Sequence, residues 1–296
     1  MEAKVLEIGF VGAGKVGSAM AILLQRAGYR IVGVASRTAE SANKLAARLN
    51  CPVLSKEELA KGSEVLLITT SDDAIASVAQ EIAEKDGFCS GQIVLHMSGA
   101  HTAQLLEPAA DKGAITISVH PIQSFASVEQ AITLIPGTYF SIEGDTRGYS
   151  FAQEMVEKLG GKHFILDSNS KVLYHAAASV ASNYLVGLLK TALDLLAAAG
   201  VPEEVRLPAF LPLVEGTLKN TKKLGIPQAL TGPISRGDLG TLEKHLDAMK
   251  ELPELLSVYR ALGLVTVDAA LQKGTINEKQ AAAIRSLLKN NWQGLH

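Results

Sequence analysis

Short runs of apolar residues alternate with segments of helical periodicity through the first half of the chain. The apolar runs predict seven strands, at 6–11, 31–35, 65–69, 93–96, 115–119, 139–142 and 163–166. The periodic segments predict intervening helices, at 18–27, 39–49, 73–85 and 146–159. Strands that alternate with helices are typical of a mostly parallel, doubly wound sheet with right-handed crossovers. We therefore expect an α/β domain over residues 1–167.

Only helical patterns follow residue 167. One long helix is predicted to run to Gly200, with Ser168 and Ser170 as candidate caps for its N-terminus. Further helices are predicted at 203–224, 239–249, 253–272 and 277–291. The chain therefore predicts a second, all-α domain over residues 168–296.

The long helix is apolar on almost every side over residues 176–189. A helix of this kind is normally buried. We expect either a core helix of the second domain or a helix shared with a second subunit, and the second alternative predicts a homodimer. The run is shorter than a bilayer span, so no membrane segment is predicted.

A glycine-rich segment joins the first predicted strand to the first predicted helix. Gly12, Gly14 and Gly17 form the pattern G-x-G-x-x-G, with Lys15 and Val16 inside it. Such a turn lets backbone N–H groups at a helix N-terminus approach a pyrophosphate. The pattern is weak alone, and a purely structural turn is the alternative, but the strand–turn–helix–strand context favours a dinucleotide.

The end of the second predicted strand indicates which dinucleotide binds. An NAD-binding unit usually has Asp or Glu there, whereas this chain has Ser36, Arg37 and Thr38. A 2′-phosphate would be repelled by an acidic residue and can be bound by an arginine fork. The alternative is a solvated Arg37 at the start of the next helix. NADP(H) is favoured as the cofactor.

Four polar residues recur at intervals of four along the long helix: Lys171, His175, Ser179 and Asn183. Polar groups on an apolar helix need partners, so the stripe predicts a cleft that faces substrate or cofactor. Hydride addition to a carbonyl requires a proton donor, for which Lys171 and His175 are candidates. Asn183 would orient the substrate, and Ser179 is assigned to substrate binding. A satisfied core histidine and an interhelical hydrogen-bonding asparagine are the alternatives.

Polar residues also follow three predicted strands at their carboxyl ends: Thr69, Thr70 and Ser71; His96 and Ser98; and His120. Open α/β sheets bind ligands at this edge. The hydroxyl cluster and Ser98 are assigned to the nicotinamide side of the cofactor, and His120 to substrate binding. A metal site is not predicted, because the histidines lack a nearby set of carboxylates.

A loop at 231–238 contains Arg236 and Asp238 between turn-forming prolines and glycines. Arg236 could hold a substrate carboxylate, and Asp238 could cap the next helix. A surface pair between the two is the alternative.

Composition narrows the function classes. The chain has 296 residues, 47% of them hydrophobic, and a net charge of −2, so nothing indicates nucleic acid or an anionic membrane as partner. Cys51 and Cys89 have no metal or redox spacing, and residues 1–4 lead directly into the first strand. A cytoplasmic location is therefore expected.

Several of these segments carry a family resemblance: 12–17, 96–100, 120–121 with 123–125, 175–178 with 182–184, and 232–233 with 236–238. They resemble a bacterial group with a Rossmann-like N-terminal domain and a C-terminal helical domain of formerly unknown function. This group lies within the 6-phosphogluconate dehydrogenase-like superfamily and is similar to an alternative class of ketopantoate reductase. The resemblance implies NADPH-dependent reduction of 2-dehydropantoate to pantoate.

The chain departs from that superfamily at one point. Several members carry Lys-x-x-x-Asn at the start of the corresponding helix, whereas here Lys171 is followed four residues later by His175. If the lysine role transfers, His175 takes the place of the asparagine. If it does not, His175 is itself the acid.

Other functions stay open beside a reductase of small 2-oxo acids. They are an imine reductase resembling pyrroline-5-carboxylate reductase, an NADP/deazaflavin oxidoreductase, and a non-catalytic NADP(H)-sensing protein. The polar stripe argues against the sensor, which has no need of ionisable groups facing a cleft. We expect hydride transfer to 2-dehydropantoate in a cleft between the domains.

Overall fold

A computed structural model describes residues 5–290. The chain forms two compact units that divide after Asn183. This division leaves the first part of the long apolar segment with the α/β unit.

The first unit is built on a seven-stranded sheet. Its strands are β1 (Glu7–Val11), β2 (Arg30–Ala35), β3 (Val65–Ile68), β4 (Ile93–His96), β5 (Ile115–Pro121), β6 (Tyr139–Gly144) and β7 (Lys162–Ile165). The strand order is β2-β1-β3-β4-β5-β6-β7, and all neighbouring pairs are parallel except β5 with β6. The predicted doubly wound α/β fold is confirmed.

Helices cover both faces of this sheet. They are α1 (Lys15–Arg26), α2 (Ala39–Leu49), α3 (Lys56–Lys61), α4 (Asp72–Glu84), α5 (Glu107–Ala110), α6 (Val128–Leu134), α7 (Tyr149–Lys158) and α8 (Lys171–Ala181). The two apolar layers form separate clusters, one around Phe10 and Phe140 and the other around Leu66 and Ile82. Strand β3 is buried throughout, as expected for a central parallel strand covered on both faces. Helices α3, α5 and α6 were not predicted.

Over the described residues 184–290, the second unit contains helices and no strand, as predicted. They are α9 (Asn183–Ala198, whose first residue belongs to the first unit), α10 (Glu203–Leu224), α11 (Ile226–Ala229), α12 (Pro233–Arg236), α13 (Leu239–Ala248), α14 (Pro253–Lys273) and α15 (Glu278–Lys289). Its core includes Leu242, Val267 and Ile284. Asp238 caps α13 by accepting hydrogen bonds from the backbone N–H and the hydroxyl of Thr241. The predicted end of the last helix, at residue 291, lies outside the described residues.

The prediction of one long helix from residue 168 to 200 is wrong in two details. The helix is interrupted at Ser182, whose φ of −114° and ψ of −69° depart from helical values. Asn183 therefore begins a new helix. Neither predicted cap serves as one: Ser170 makes no capping hydrogen bond, and Ser168 donates its hydroxyl to Glu143.

The apolar helices are also far more exposed than predicted. Lys171 is the one buried residue of α8, and neither α9 nor α10 has a buried residue within the described chain. The expectation of a core helix is therefore wrong for a single chain, and the shared-helix alternative stays a prediction. By length and composition, the helical stretch Ser168–Ala198 could also cross a membrane.

Candidate active site

The glycine turn is shaped by its close approach to the end of β3. Gly12 has a φ of +117°, and a Cβ there would lie 2.6 Å from the carbonyl group of Thr69. A Cβ on Gly17 would lie 2.2 Å from the Thr69 hydroxyl. By contrast, a Cβ on Gly14 would meet no atom within 4 Å. Since Gly14 also precedes α1 without a side-chain cap, the N-terminus of that helix has open space beside it.

A cavity of about 440 Å³ extends from this turn to the end of β2. Its polar lining consists of Ser36, Arg37, Thr38, Ser41, Lys56, Thr69, Thr70 and Ser71, together with backbone of residues 11–14. Two cations and several hydroxyl groups therefore face one space, an arrangement suited to a phosphate group. Thr38 is also the N-cap of α2, where it accepts a hydrogen bond from the Ser41 N–H.

Lys56 is a lining residue that sequence reasoning missed. After α2 the chain returns along β2, where Val34 and Val53 form a parallel bridge. This return places the start of α3 beside the cavity, and Lys56 there pairs with Glu81. The Ser55-x-x-Glu58 capping box is visible in the sequence and predicts the start of a helix. It does not show that Lys56 lies beside the cavity, because that position depends on tertiary packing.

A second cavity, of about 400 Å³, adjoins the first through Gly14 and residues 69–71. Its other lining residues are Lys15, Val16, Asp72, Met97, Ser98, Gln123 and Phe125. Every residue predicted to bind the cofactor lines one of the two cavities, except Gly17, which instead packs against Thr69. The assigned binding roles themselves stay predictions.

His96 fixes the loop that follows β4. It is fully buried, its Nε2 lies 2.9 Å from the Thr102 carbonyl oxygen, and its Nδ1 accepts the N–H of Ser98 at 3.1 Å. Burial lowers the pKa of His96 to about 4, so the ring is neutral. The loop is further held by Ser98, whose hydroxyl donates to Asp72 at 2.8 Å. His96 is thus a structural residue that positions Ser98.

Lys171 lies fully buried against β5. Its Nζ donates to the hydroxyl of Ser118 at 2.8 Å, and that hydroxyl donates to the Ser98 carbonyl oxygen at 3.3 Å. Burial lowers the pKa of Lys171 to about 8, although Glu143 and Asp72 oppose the shift. Lys171 therefore carries its charge at neutral pH without a solvent-exposed surface.

Glu143 is a buried residue of β6. It lies directly opposite Ser118 of β5 in the register of the sheet. It accepts hydrogen bonds from the Ala103 N–H at 3.0 Å and from the Ser168 hydroxyl at 2.7 Å. Sequence reasoning missed Glu143, because an acidic residue inside a strand pattern gives no sign of its partners.

Two imidazole rings converge on Gly99. A Cβ at that position would lie 2.6 Å from the Nε2 of His120 and 2.7 Å from the Nδ1 of His175. The centroids of the two rings are 6.2 Å apart. The Nδ1 of His175 is buried and has no hydrogen-bond partner among the described residues. The predicted donor His175 and the predicted substrate residue His120 are therefore brought together.

The other residues that the sequence assigns to the substrate are more exposed. Ser179 is partly exposed on α8, Asn183 is exposed at the start of α9, and Arg236 is exposed at the end of α12 in the second unit. The break at Ser182 removes Asn183 from the helical face that carries Lys171. Within residues 5–290, no group of three or more His, Cys, Asp or Glu is arranged to hold a metal ion.

Acidification is expected to destabilise the protein through its two histidines of lowered pKa. The pKa values of His96 and His120 fall from 6.5 to about 4 on folding, chiefly through burial. As the pH falls through that window, the unfolded chain binds protons that the folded chain excludes, so the free energy of unfolding decreases. For the fully buried His96, the decrease in the free energy of unfolding is about 3 kcal/mol. The decrease is smaller for His120, which is less buried.

Thermal denaturation between neutral pH and pH 4 measures this effect. The His96→Gln variant can still donate to Thr102, and its Tm should depend less steeply on pH than that of the wild type. Equal slopes for the two proteins would contradict the assignment.

Comparison with known proteins finds two domain families and several similar folds. Residues 1–121 match the Rossmann-like domain, and residues 138–266 match a domain of unknown function, DUF2520. No curated protein matches the sequence. The crystal structure of protein TM1727 from Thermotoga maritima is similar with a TM-score of 0.71 and 25% identity, over 90% of this chain and 99% of that one.

Two enzymes share the fold at lower identity. A reductive aminase from Aspergillus terreus in complex with NADPH and ethyl-5-oxohexanoate has a TM-score of 0.59 and 17% identity, over 97% of this chain and 93% of that one. A pyrroline-5-carboxylate reductase from Coxiella burnetii has a TM-score of 0.57 and 14% identity, over 97% of this chain and 98% of that one. The chain is thus similar to a Rossmann-like domain over residues 1–121 and to a DUF2520 domain over residues 138–266.

Proposed function

We propose that this protein is an NADPH-dependent reductase of a small 2-oxo acid, with 2-dehydropantoate as the substrate. The observation that carries the proposal is the continuity of two cavities. One has the lining of a phosphate site, and the other reaches Ser98. The buried ammonium group of Lys171 is linked to the Ser98 carbonyl oxygen through the Ser118 hydroxyl, and two imidazoles approach the next residue, Gly99.

The residues present fit NADPH. The cations of Arg37 and Lys56 and the hydroxyls around them would hold the 2′-phosphate, and the open side of Gly14 would admit the pyrophosphate. The hydroxyls of residues 69–71 and Ser98 would line the nicotinamide side. The complex of the A. terreus reductive aminase with NADPH supports the same cofactor. When bound, NADPH supplies the hydride.

The chain's own residues would manage the charge that reduction creates. Hydride addition to a keto carbon leaves negative charge on the oxygen, which a preorganised positive group stabilises. Lys171 supplies such a group through its bond to Ser118, and Lys171 or His175 is the donor proposed from the sequence. In this scheme Asn183 orients the substrate, Ser179 and His120 contact it, and Arg236 binds its carboxylate.

Purified protein should oxidise NADPH when 2-dehydropantoate is added, as followed by the loss of NADPH absorbance. Absence of turnover above background would remove this substrate. A panel of other 2-oxo acids would then test the wider class.

Imine reduction is the second candidate, because solved imine-reducing enzymes share this fold. The same assay with pyrroline-5-carboxylate and other cyclic imines distinguishes it. Turnover of imines without turnover of 2-oxo acids would replace the first proposal. Tight NADPH binding without any turnover would favour a sensor, and hydride exchange with a deazaflavin would favour the remaining alternative.

Arg37→Ala is expected to weaken NADPH binding by about 10- to 100-fold, because a charge-assisted phosphate contact contributes about 1.5–3 kcal/mol. NADH affinity should stay unchanged, since that cofactor lacks the phosphate. Titration calorimetry with both cofactors measures the ratio. Arg30→Ala is the matched control, because Arg30 is an exposed arginine at the other end of β2 that pairs with Glu7. A parallel loss of NADH affinity in Arg37→Ala would contradict the assignment.

We also propose that two copies of the chain associate and that the protein acts in the cytoplasm. The apolar faces of α9 and α10 include Val186, Leu213 and Leu218, which are 54–68% exposed. A second copy would bury them, as closed symmetric dimers commonly do. Both cysteines are free, which suits a reducing compartment. Light scattering should give twice the chain mass of 31.2 kDa. A monomer, or recovery with the membrane fraction, would contradict this proposal.

A further inference from the structure

Asp72 contributes a carboxylate to the wall of the second cavity. It is the first residue of α4 and directly follows residues 69–71, which line both cavities. Its Oδ2 accepts the hydroxyl of Ser98 at 2.8 Å, and the oxygen of that hydroxyl accepts the His101 N–H at 3.2 Å. The turn after β3 and the loop after β4 therefore hold this carboxylate in place.

The bond between Ser98 and Asp72 determines what this wall offers to a ligand. A serine hydroxyl has one proton and an ionised carboxylate can only accept, so Ser98 uses its proton on Asp72. The partial positive charge at the N-terminus of α4 favours an acidic side chain in its first turn. Asp72 is also exposed. The wall therefore presents a fixed negative charge to the cavity.

The rest of the lining suits an aromatic ring that carries positive charge. The apolar side chains of this cavity are Val16, Met97 and Phe125. A thioether packs well against aromatic groups, and the face of a phenyl ring attracts a cation. Lys15 is the one cation that lines the cavity within the described chain, and it directly follows Gly14, beside which the pyrophosphate is proposed to bind. The pyrophosphate would offset its charge, whereas nothing in the lining offsets that of Asp72.

The charge of Asp72 also acts on positive groups behind the cavity wall. Burial lowers the pKa of Lys171 and of His120, and the Asp72 carboxylate opposes both shifts because it stabilises their charged forms. A positive charge inside the cavity that Asp72 itself lines would be stabilised in the same way.

We propose that Asp72 stabilises the positive charge of the oxidised nicotinamide ring and so favours NADP⁺ over NADPH in this cavity. The inference rests on the NADP(H) binding that the proposed function includes. Hydride transfer moves one proton and two electrons from the ring to the acceptor carbon, so the neutral ring of NADPH becomes the cationic ring of NADP⁺. The phosphates are the same in both forms. A carboxylate beside the ring therefore lowers the free energy of the product state and favours donation of the hydride.

Asp72→Asn tests the inference, because it removes the charge and keeps an oxygen that can accept the Ser98 hydroxyl. Titration calorimetry with NADP⁺ and with NADPH gives the two Kd values. The ratio of the Kd for NADP⁺ to the Kd for NADPH should rise about 3- to 5-fold, as for loss of one exposed charge pair. Repulsion between Asp72 and the phosphates acts on both forms and cancels in this ratio. Asp73→Asn is the matched control, because Asp73 is the next acid in the same helical turn and does not line the cavity.

Salt provides a second measurement on the wild type itself. At 1 M salt the Debye length falls to about 3 Å, so the wild-type ratio should rise towards that of Asp72→Asn. A wild-type ratio in Asp72→Asn, or an equal rise in Asp73→Asn, would overturn the inference and leave the proposed function standing. Binding of both cofactor forms without reduction of any 2-oxo acid or imine would overturn the proposed function, while the ratio would still decide the role of Asp72. Failure to bind either form would overturn both.

Discussion

Gly14→Ala is expected to fold like the wild type and to lose NADPH affinity by about 10- to 100-fold. The added methyl group meets no atom of the chain within 4 Å, and the φ of −77° at Gly14 suits any residue. The same methyl group would occupy the space through which the pyrophosphate approaches the N-terminus of α1. Overpacking of this kind costs about 1–3 kcal/mol, which corresponds to the stated change in affinity.

Gly17→Ala is the contrasting variant. Its methyl carbon would lie 2.2 Å from the Thr69 hydroxyl and 2.6 Å from the Gly12 carbonyl oxygen, so the turn itself must shift. We expect Gly17→Ala to lower both Tm and NADPH affinity, whereas Gly14→Ala lowers affinity alone. Calorimetric titration and thermal denaturation of both variants measure the two quantities. Wild-type affinity in Gly14→Ala would place the pyrophosphate elsewhere.

Lys171→Met is expected to reduce kcat by about 10²- to 10³-fold, because it removes a preorganised positive charge near the developing oxyanion. Its Tm at neutral pH should not fall. Burial lowers the pKa of Lys171 to about 8. Below that pH the buried ammonium group destabilises the folded state, because the same charge is solvated in the unfolded chain. This cost decreases as the pH rises from about 8 to 10.5, so the stability gained in Lys171→Met should shrink over the same range.

Lys158→Met is the control for loss of a lysine, because Lys158 is a half-exposed residue of α7 that pairs with Glu154. It should keep the wild-type kcat. Single-turnover measurements at saturating NADPH and 2-dehydropantoate separate the chemical step from binding. A wild-type rate in Lys171→Met would remove the buried ammonium from the mechanism, and a large fall in Tm would show that it serves the fold.

The fold was predictable because its signals are local. All seven strands and helices such as α1, α2 and α10 follow from apolar runs and helical periodicity, which neighbouring residues along the chain determine. The glycine turn was also visible, because its spacing reflects a requirement of the backbone. The break at Ser182 was missed because the apolar pattern continues on both sides of it, although Ser182 and Asn183 are residue types that favour helix ends.

The site was predicted only in part. Arg37 and Ser98 could be placed at strand ends because parallel strands bring their carboxyl ends to one edge of the sheet. The positions of Lys56 and Glu143 could not be predicted, because each depends on strand pairing with residues distant in sequence.

The amino-acid sequence by itself determined the α/β unit, the helical unit and a turn suited to a dinucleotide, because these depend on periodicity and backbone geometry. Only the tertiary structure decided that Lys171 is buried against Ser118 and that His120 bonds to Tyr174 and meets His175 at Gly99. Contacts between a strand and a helix more than 50 residues apart depend on how the elements pack, and no local pattern records that packing.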